Sequence, residues 1–197
     1  MIRITTGIYK RMHILMPEGI RPTQDKVRKA LFDILGDIEG LSFLELFAGS
    51  GAVGFEAVSR GAGELVLVEQ NRACISVIKK NIELLKLDES ILFSQDVDKA
   101  VKTFHTQGKV FDLIFMDPPY SNPHTNWSIA TDIFPIGVGA KKTLQTLGAY
   151  DILSPNGFII VEHFKKDALP QEQDKLVRFK EAKYSDTLLS FYKKCAK

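Results

Sequence analysis

Cysteine is scarce in this chain of 197 residues: Cys74 and Cys195 are the only two, and they stand far apart. Two thiols without paired or metal-ligand spacing exclude a disulfide framework and a cysteine zinc site. The four histidines, His13, His105, His124 and His163, are scattered as well, so no metal is expected. Long apolar runs are missing; none approaches the roughly 20 residues that a helix needs to cross a bilayer. Met1-Ile2-Arg3-Ile4-Thr5-Thr6 lacks the pattern of a secretory signal. The expectation is a cytoplasmic chain with free thiols and no membrane partner. Repeats and low-complexity linkers are also lacking, and the length suits one domain over 1–197, expected to be a monomer.

Net charge is small, +2, but unevenly placed. Residues 1–30 carry seven Lys/Arg against two Asp/Glu, a net +5. Residues 31–162 carry ten against seventeen, a net −7, and residues 163–197 nine against five, a net +4. Basic ends around an acidic centre fit a catalytic domain with a rim that grips a polyanion. The plainer alternative is that the lysines solvate the chain ends. In the N-terminal cluster several charges are arginines flanking structured elements. Arg3, Lys10, Arg11, Arg21, Arg28 and Lys29 are therefore expected to form a nucleic-acid surface beside the site.

Apolar residues make up 45% of the chain, enough for a full core. Ile2 to Leu15 reads as a strand pair, and Val27, Ala30, Leu31, Ile34 and Leu35 follow helical spacing. Pro22 and Thr23 mark the start of that helix and Gly36 its end, so 1–38 forms a basic extension. From Leu41 onward strands and helices alternate. Strands are expected at Ser42–Phe47, Glu64–Glu69, Ile91–Gln95, Phe111–Met116 and Gly157–His163. Helices are expected near Gly51–Arg60, Arg72–Leu87, Asp98–Thr106 and Lys141–Leu153. This alternation argues for an α/β fold with a mostly parallel sheet and helices on both faces. Leu176–Phe179 and Thr187–Tyr192, with no helix between them, read as an antiparallel edge hairpin. Ser121 to Ala140 is irregular and reads as a substrate-facing loop.

Two motifs carry the chemistry. Asp117-Pro118-Pro119-Tyr120 follows the strand Phe111–Met116, at the strand end where open α/β sheets bind ligands. Prolines have no backbone N–H, so the segment offers carbonyl oxygens in a fixed shape. Asp117 adds a carboxylate acceptor and Tyr120 a flat ring, a set that suits a planar donor such as the amino group of a base. The second motif is Phe47-Ala48-Gly49-Ser50-Gly51-Ala52-Val53-Gly54, a G-x-G-x-x-G between strand and helix. Glu69 ends the next strand, where an acid bonds ribose hydroxyls, with Gln70 beside it; Gln95-Asp96 ends the third and borders the base.

NAD enzymes share such a glycine turn. Glu45, just before it, would repel a pyrophosphate and suits the cationic methionine end of S-adenosylmethionine. Alternatively, Glu45 caps a neighbouring helix or pairs with a lysine. Hydride transfer would also leave Asp117-Pro118-Pro119-Tyr120 without a role.

With both motifs in hand, the chain resembles class I methyltransferases and, more closely, the bacterial RsmD family. The resemblance rests on Gly7-Ile8-Tyr9-Lys10-Arg11, on Arg21-Pro22-Thr23-Gln24-Asp25-Lys26-Val27-Arg28-Lys29-Ala30-Leu31-Phe32 and on Leu46-Phe47-Ala48-Gly49-Ser50-Gly51. Asp117-Pro118-Pro119-Tyr120 and Tyr184-Ser185-Asp186-Thr187 match too, while the segment over 121–156 looks longer than the family's. The resemblance implies a Rossmann-like, seven-stranded sheet and bound S-adenosylmethionine, converted to S-adenosylhomocysteine. It also implies methylation of a guanine N2 amine in 16S ribosomal RNA, free or in the small-subunit particle. Asp117, Pro118 and Tyr120 are the expected catalytic set, with Asp117 also bordering the cofactor. Glu45, Phe47, Ala48, Gly49, Ser50, Gly51, Glu69, Gln70 and Asp96 are the expected cofactor set. A DNA adenine-N6 methyltransferase and an RNA-binding module without catalysis are the alternatives.

Overall fold

Leu65-Val66-Leu67-Val68 and Leu113-Ile114-Phe115-Met116 are apolar at every position, the pattern of strands covered on both faces. In the computed structural model, which describes residues 1–18, 25–118 and 138–195, both runs lie inside one eight-stranded sheet. A strand pair precedes it, β1 (Ile2–Arg3) and β2 (His13–Ile14), followed by α1 (Asp25–Leu35). Then come β3 (Ser42–Leu46), α2 (Ala52–Ser59), β4 (Glu64–Glu69), α3 (Arg72–Leu85), β5 (Leu92–Ser94), α4 (Val97–Thr106) and β6 (Phe111–Met116). The chain closes with α5 (Val138–Ala149), β7 (Leu153–Phe164), β8 (Glu172–Gln173), β9 (Leu176–Tyr184) and β10 (Thr187–Lys194).

Spatial order is β5-β4-β3-β6-β7-β10-β9-β8. Strands β3 to β7 pair in parallel, whereas β10 runs antiparallel to both β7 and β9. The expected α/β fold is found, with one strand more than the seven anticipated. The addition is β8, two residues paired to β9, too short to show an alternation in the sequence. The helix expected to reach Leu153 stops at Ala149, and Leu153 opens β7. Pro155 follows two residues later and biases Ser154 toward extended backbone. The Pro22-Thr23 helix start lies outside the described residues, as does the 121–140 loop up to residue 137; α5 takes that loop's last three positions.

Each face of the sheet has its own core. On one, α2, α3 and the N-terminal extension pack Ile14, Leu31, Phe32, Phe55 and Ile78 against Phe43, Leu67, Phe115 and Ile160. On the other, Val101, Phe104, Leu144 and Leu147 from α4 and α5 cover Leu44, Val66, Ile114 and Val161.

One buried acid fastens the extension to the sheet domain. Glu56, in the middle of α2 and 0% exposed, accepts from Thr5 N (2.8 Å), Thr5 Oγ1 (2.6 Å) and Arg60 Nε (2.9 Å). Thr6 N also donates to it at 3.2 Å, and Arg28 Nε lies 3.8 Å away. Arg28 is 1% exposed and donates to the Arg3 carbonyl and to Asp25 Oδ1, both at 2.9 Å. Gly7 completes the fit at the far end of α2, because a Cβ there would stand 1.5 Å from the Ser59 carbonyl oxygen.

Glu56→Ala should cost about 3–5 kcal/mol, since it removes the carboxylate beside buried Arg28 and the acceptor of two backbone N–H groups. Asp25→Ala, which removes an exposed partner of Arg28, should cost less than about 1 kcal/mol. Urea unfolding of the two variants checks the contrast.

Candidate active site at the switch point between β3 and β6

Sheet order reverses between β3 and β6: β3 leads outward to β4, and β6 leads the other way to β7. Crevices for ligands open at the C-terminal ends of such strands. Both sequence motifs arrive there, the glycine turn from β3 and Asp117-Pro118 from β6, on neighbouring strands with Leu46 beside Met116.

The turn has an unusual backbone. Phe47 (φ 59°), Gly49 (φ 57°) and Gly51 (φ 77°) all adopt left-handed conformations. Ala48 N donates to the Val68 carbonyl, Gly51 N to Ala48 O, and Phe55 N to Gly51 O, so the turn is closed on both sides. A Cβ on Gly51 would press on Phe55 at 2.6 Å. At Gly49 the same atom meets nothing within 4 Å among the described residues. Ser50 is buried, and its carbonyl accepts from Asn81 Nδ2 at 3.1 Å. Asn81 also exchanges bonds with Leu15, through Oδ1 at 2.7 Å and Nδ2 at 3.1 Å, and so joins the extension to the turn. Its role had a trace in the sequence: a polar residue between Ile78 and Ile82 on the buried stripe of α3.

Glu69 is committed to backbone. One oxygen accepts from Gly49 N, the other from Gln70 N and Asn71 N, each at 2.8 Å. It fixes the first glycine at the end of β4. Gln70 is exposed, and Asp96 is half-buried with its carboxylate capping α4 through Lys99 N at 3.1 Å.

Glu45 is 3% exposed and accepts from Gly54 N at 2.7 Å. The capping alternative is therefore what the structure contains: the acid closes the first turn of α2. Gly54 makes this possible, because a Cβ there would lie 2.8 Å from Glu45 Oε2 and 2.7 Å from both Leu65 and Leu67. Burial, then the nearby charges of Asp117 and Glu69, push the Glu45 carboxyl up to about 8, against the bonds from Gly54 and Val53.

Strand alternation sorts these groups. Glu45 lies beside Phe115 and Leu67, so Asp117 and Glu69, two residues further on, project to the same face. Ile160 also lies beside Phe115, which adds Glu162 to that face. Four adjacent strands thus place Glu69, Glu45, Asp117 and Glu162 at or near their C-terminal ends, an acidic wall of which only Glu162 was not anticipated. Asp117 is half-buried and Pro118 buried; Tyr120 lies outside the described residues.

The basic cluster is less compact than expected. Arg28 is not on the surface, because α1 turns its Val27-Arg28-Leu31 side onto α2 and Glu56 draws the guanidinium inward. Lys10 and Arg11 are exposed, but their turn docks on the other end of α2, where Ile8 N donates to Ser59 O. The eight residues of α2 put that end ~12 Å from the glycine turn. Arg3 and Lys29 are exposed, and Arg21 lies outside the described residues.

A family model described as conserved hypothetical protein 95 matches residues 2–193. YlbH of Bacillus subtilis is 31% identical over 98% of this chain and 99% of its own. Ribosomal RNA small subunit methyltransferase D of Haemophilus influenzae is 31% identical over 85% of this chain and 81% of its own. Among solved structures, a hypothetical protein of Thermus thermophilus superposes with a TM-score of 0.78 at 27% identity, covering 98% of this chain and 99% of that one.

Glu45→Gln tests the capping bond and its ionisation together. The folded carboxyl holds a proton that the unfolded one releases near 4.5, so folding stability drains away as pH climbs from there toward 8. The glutamine keeps an acceptor for Gly54 N without that loss. Melting temperatures across this pH range should shift progressively in favour of the variant.

Proposed function

The chain belongs to the conserved hypothetical protein 95 family, that of the RsmD methyltransferases, and on that premise we propose that it methylates the exocyclic N2 amine of a guanine in small-subunit ribosomal RNA, with S-adenosylmethionine as donor. The observation that carries this is the meeting of the glycine turn and Asp117-Pro118 on adjacent strands at the switch point. The relative from Haemophilus influenzae bears the name of a ribosomal RNA methyltransferase, which directs the reading to RNA rather than DNA.

The residues fit the cofactor. Left-handed backbone opens the turn at Gly49, and the acidic wall beside it opposes a pyrophosphate but suits a cation. Phe47, Ala48, Gly49, Ser50 and Gly51 would cradle it, Glu69 and Gln70 would face the ribose, Asp96 the adenine, and Glu45 and Asp117 the methionine end. When bound, S-adenosylmethionine supplies a methyl group on a positively charged sulfur.

Everything else falls to the protein. The lone pair of a guanine amine is delocalised into the ring, so attack requires the nitrogen to pyramidalise and gain positive charge. Acceptors aimed at its hydrogens favour that geometry over the flat ground state. The Asp117 carboxylate and the Pro118 carbonyl take this role, and Tyr120 stacks on the base. The base must be splayed out of any duplex to enter. Water takes the proton after transfer. Arg3, Lys10, Arg11 and Lys29 hold flanking RNA, with Lys10 and Arg11 reaching strand well beyond the target nucleotide.

Mass mapping of 16S ribosomal RNA from cells with and without the protein should show one N2-methylguanine that depends on it. An unchanged methylation map would overturn the reading. Asp117→Ala should remove roughly 3 kcal/mol or more of transition-state stabilisation, seen as a loss of kcat far larger than any change in S-adenosylhomocysteine affinity. Retention of activity within a few-fold would exclude Asp117 as the acceptor. Lys10→Glu with Arg11→Glu should weaken RNA binding and flatten its salt dependence, measured by filter binding at several salt concentrations. An unchanged slope would assign these charges to solvation.

A further inference from the structure

The cofactor motifs all lie from β3 outward to β5, so a base held at the end of β6 has its free side toward β7. There the sheet supplies Glu162. Val161 is the register partner of Met116, which sets Glu162 beside Asp117 and on the same face. Glu162 is 4% exposed, so its carboxylate is held within the fold rather than out in solvent. Neighbouring strands are about 4.8 Å apart, so two such carboxylates can converge on adjacent atoms of one planar ligand.

We propose that Glu162 is a specificity-determining contact that accepts the N1–H of the target guanine while Asp117 and Pro118 accept from its N2 amine. This rests on the function proposed above and extends it to how the base is chosen. The Watson–Crick edge of guanine presents N1–H and N2–H side by side, two donors for two carboxylates on adjacent strands. Adenine places an acceptor, N1, beside its amine and would bring a lone pair against Glu162. Accepting the N1–H also pushes electron density toward the N2 nitrogen, which helps it attack.

The test uses an RNA oligonucleotide carrying the mapped guanine and a second one with 2-aminopurine in its place. 2-Aminopurine keeps the exocyclic amine, but its N1 accepts instead of donating. The unmutated protein should methylate the guanine about 10- to 100-fold faster, the usual discrimination of a well-placed hydrogen-bonded pair. Glu162→Gln can turn its amide N–H toward an acceptor, so the preference should collapse or invert, with S-adenosylhomocysteine affinity unchanged. A purely structural role for Glu162 would lower both rates and leave their ratio intact, which overturns the assignment. Equal rates on both bases with the unmutated protein overturn it as well, whether or not the variant folds. Transfer to neither base overturns the proposed function, and this assignment with it.

Discussion

Glu56 sits where the basic extension, α1 and the sheet domain meet, and it is the acid on which their arrangement depends. Backbone and side-chain donors from Thr5 and Thr6 reach it from the extension, Arg60 from its own helix and Arg28 from α1. Burying a carboxylate is costly unless donors surround it in this way. The cost of exchanging any partner is high, so the extension has one way to lie on α2. That choice carries Leu15 to Asn81 and thereby braces Ser50 inside the glycine turn. An ion pair remote from the chemistry therefore sets the backbone that faces the cofactor side.

Periodicity revealed the central strands and the order of elements, because parallel strands buried on both faces are written as unbroken apolar runs. Phe111–Met116 is a strand in the structure with the same bounds as expected from the sequence. Short pieces were harder to see. Two residues of β8 cannot display an alternation, and the end of α5 was masked by Ile152 and Leu153, apolar residues that fit either a helix or a strand. At the site, residue types indicated location better than role. Glu45 and Glu69 are both at the turn, yet their oxygens bind backbone amides, a use that depends on where α2 begins and where β4 ends. Arg28 shows the opposite limit: sequence spacing placed it on α1 but did not disclose which neighbour the helix would face.

The acidic wall gives the site an electrostatic preference before any ligand arrives. Glu45 already sits high on the pH scale because burial and its acidic neighbours resist ionisation. A cation entering beside it relieves that resistance, whereas a polyanion meets it as a barrier. The positively charged ends of the chain balance this across the molecule as a whole, with the net +5 of residues 1–30 against the net −7 of residues 31–162. A polyanion is thus favoured at the basic ends and resisted at the acidic centre.

The sheet ends in two stubs, β5 with three residues on one border and β8 with two on the other. A border strand normally offers a ladder of unpaired N–H and C=O groups to any passing chain. Here the outermost strands are short, and Asp174, in a left-handed conformation directly after β8, turns the chain back onto β9. Polypeptides emerge from ribosomes with their backbones extended and unsatisfied. Beyond the two residues of β8, the border strand β9 carries the exposed charges of Lys180, Glu181 and Lys183, which oppose pairing with such a chain.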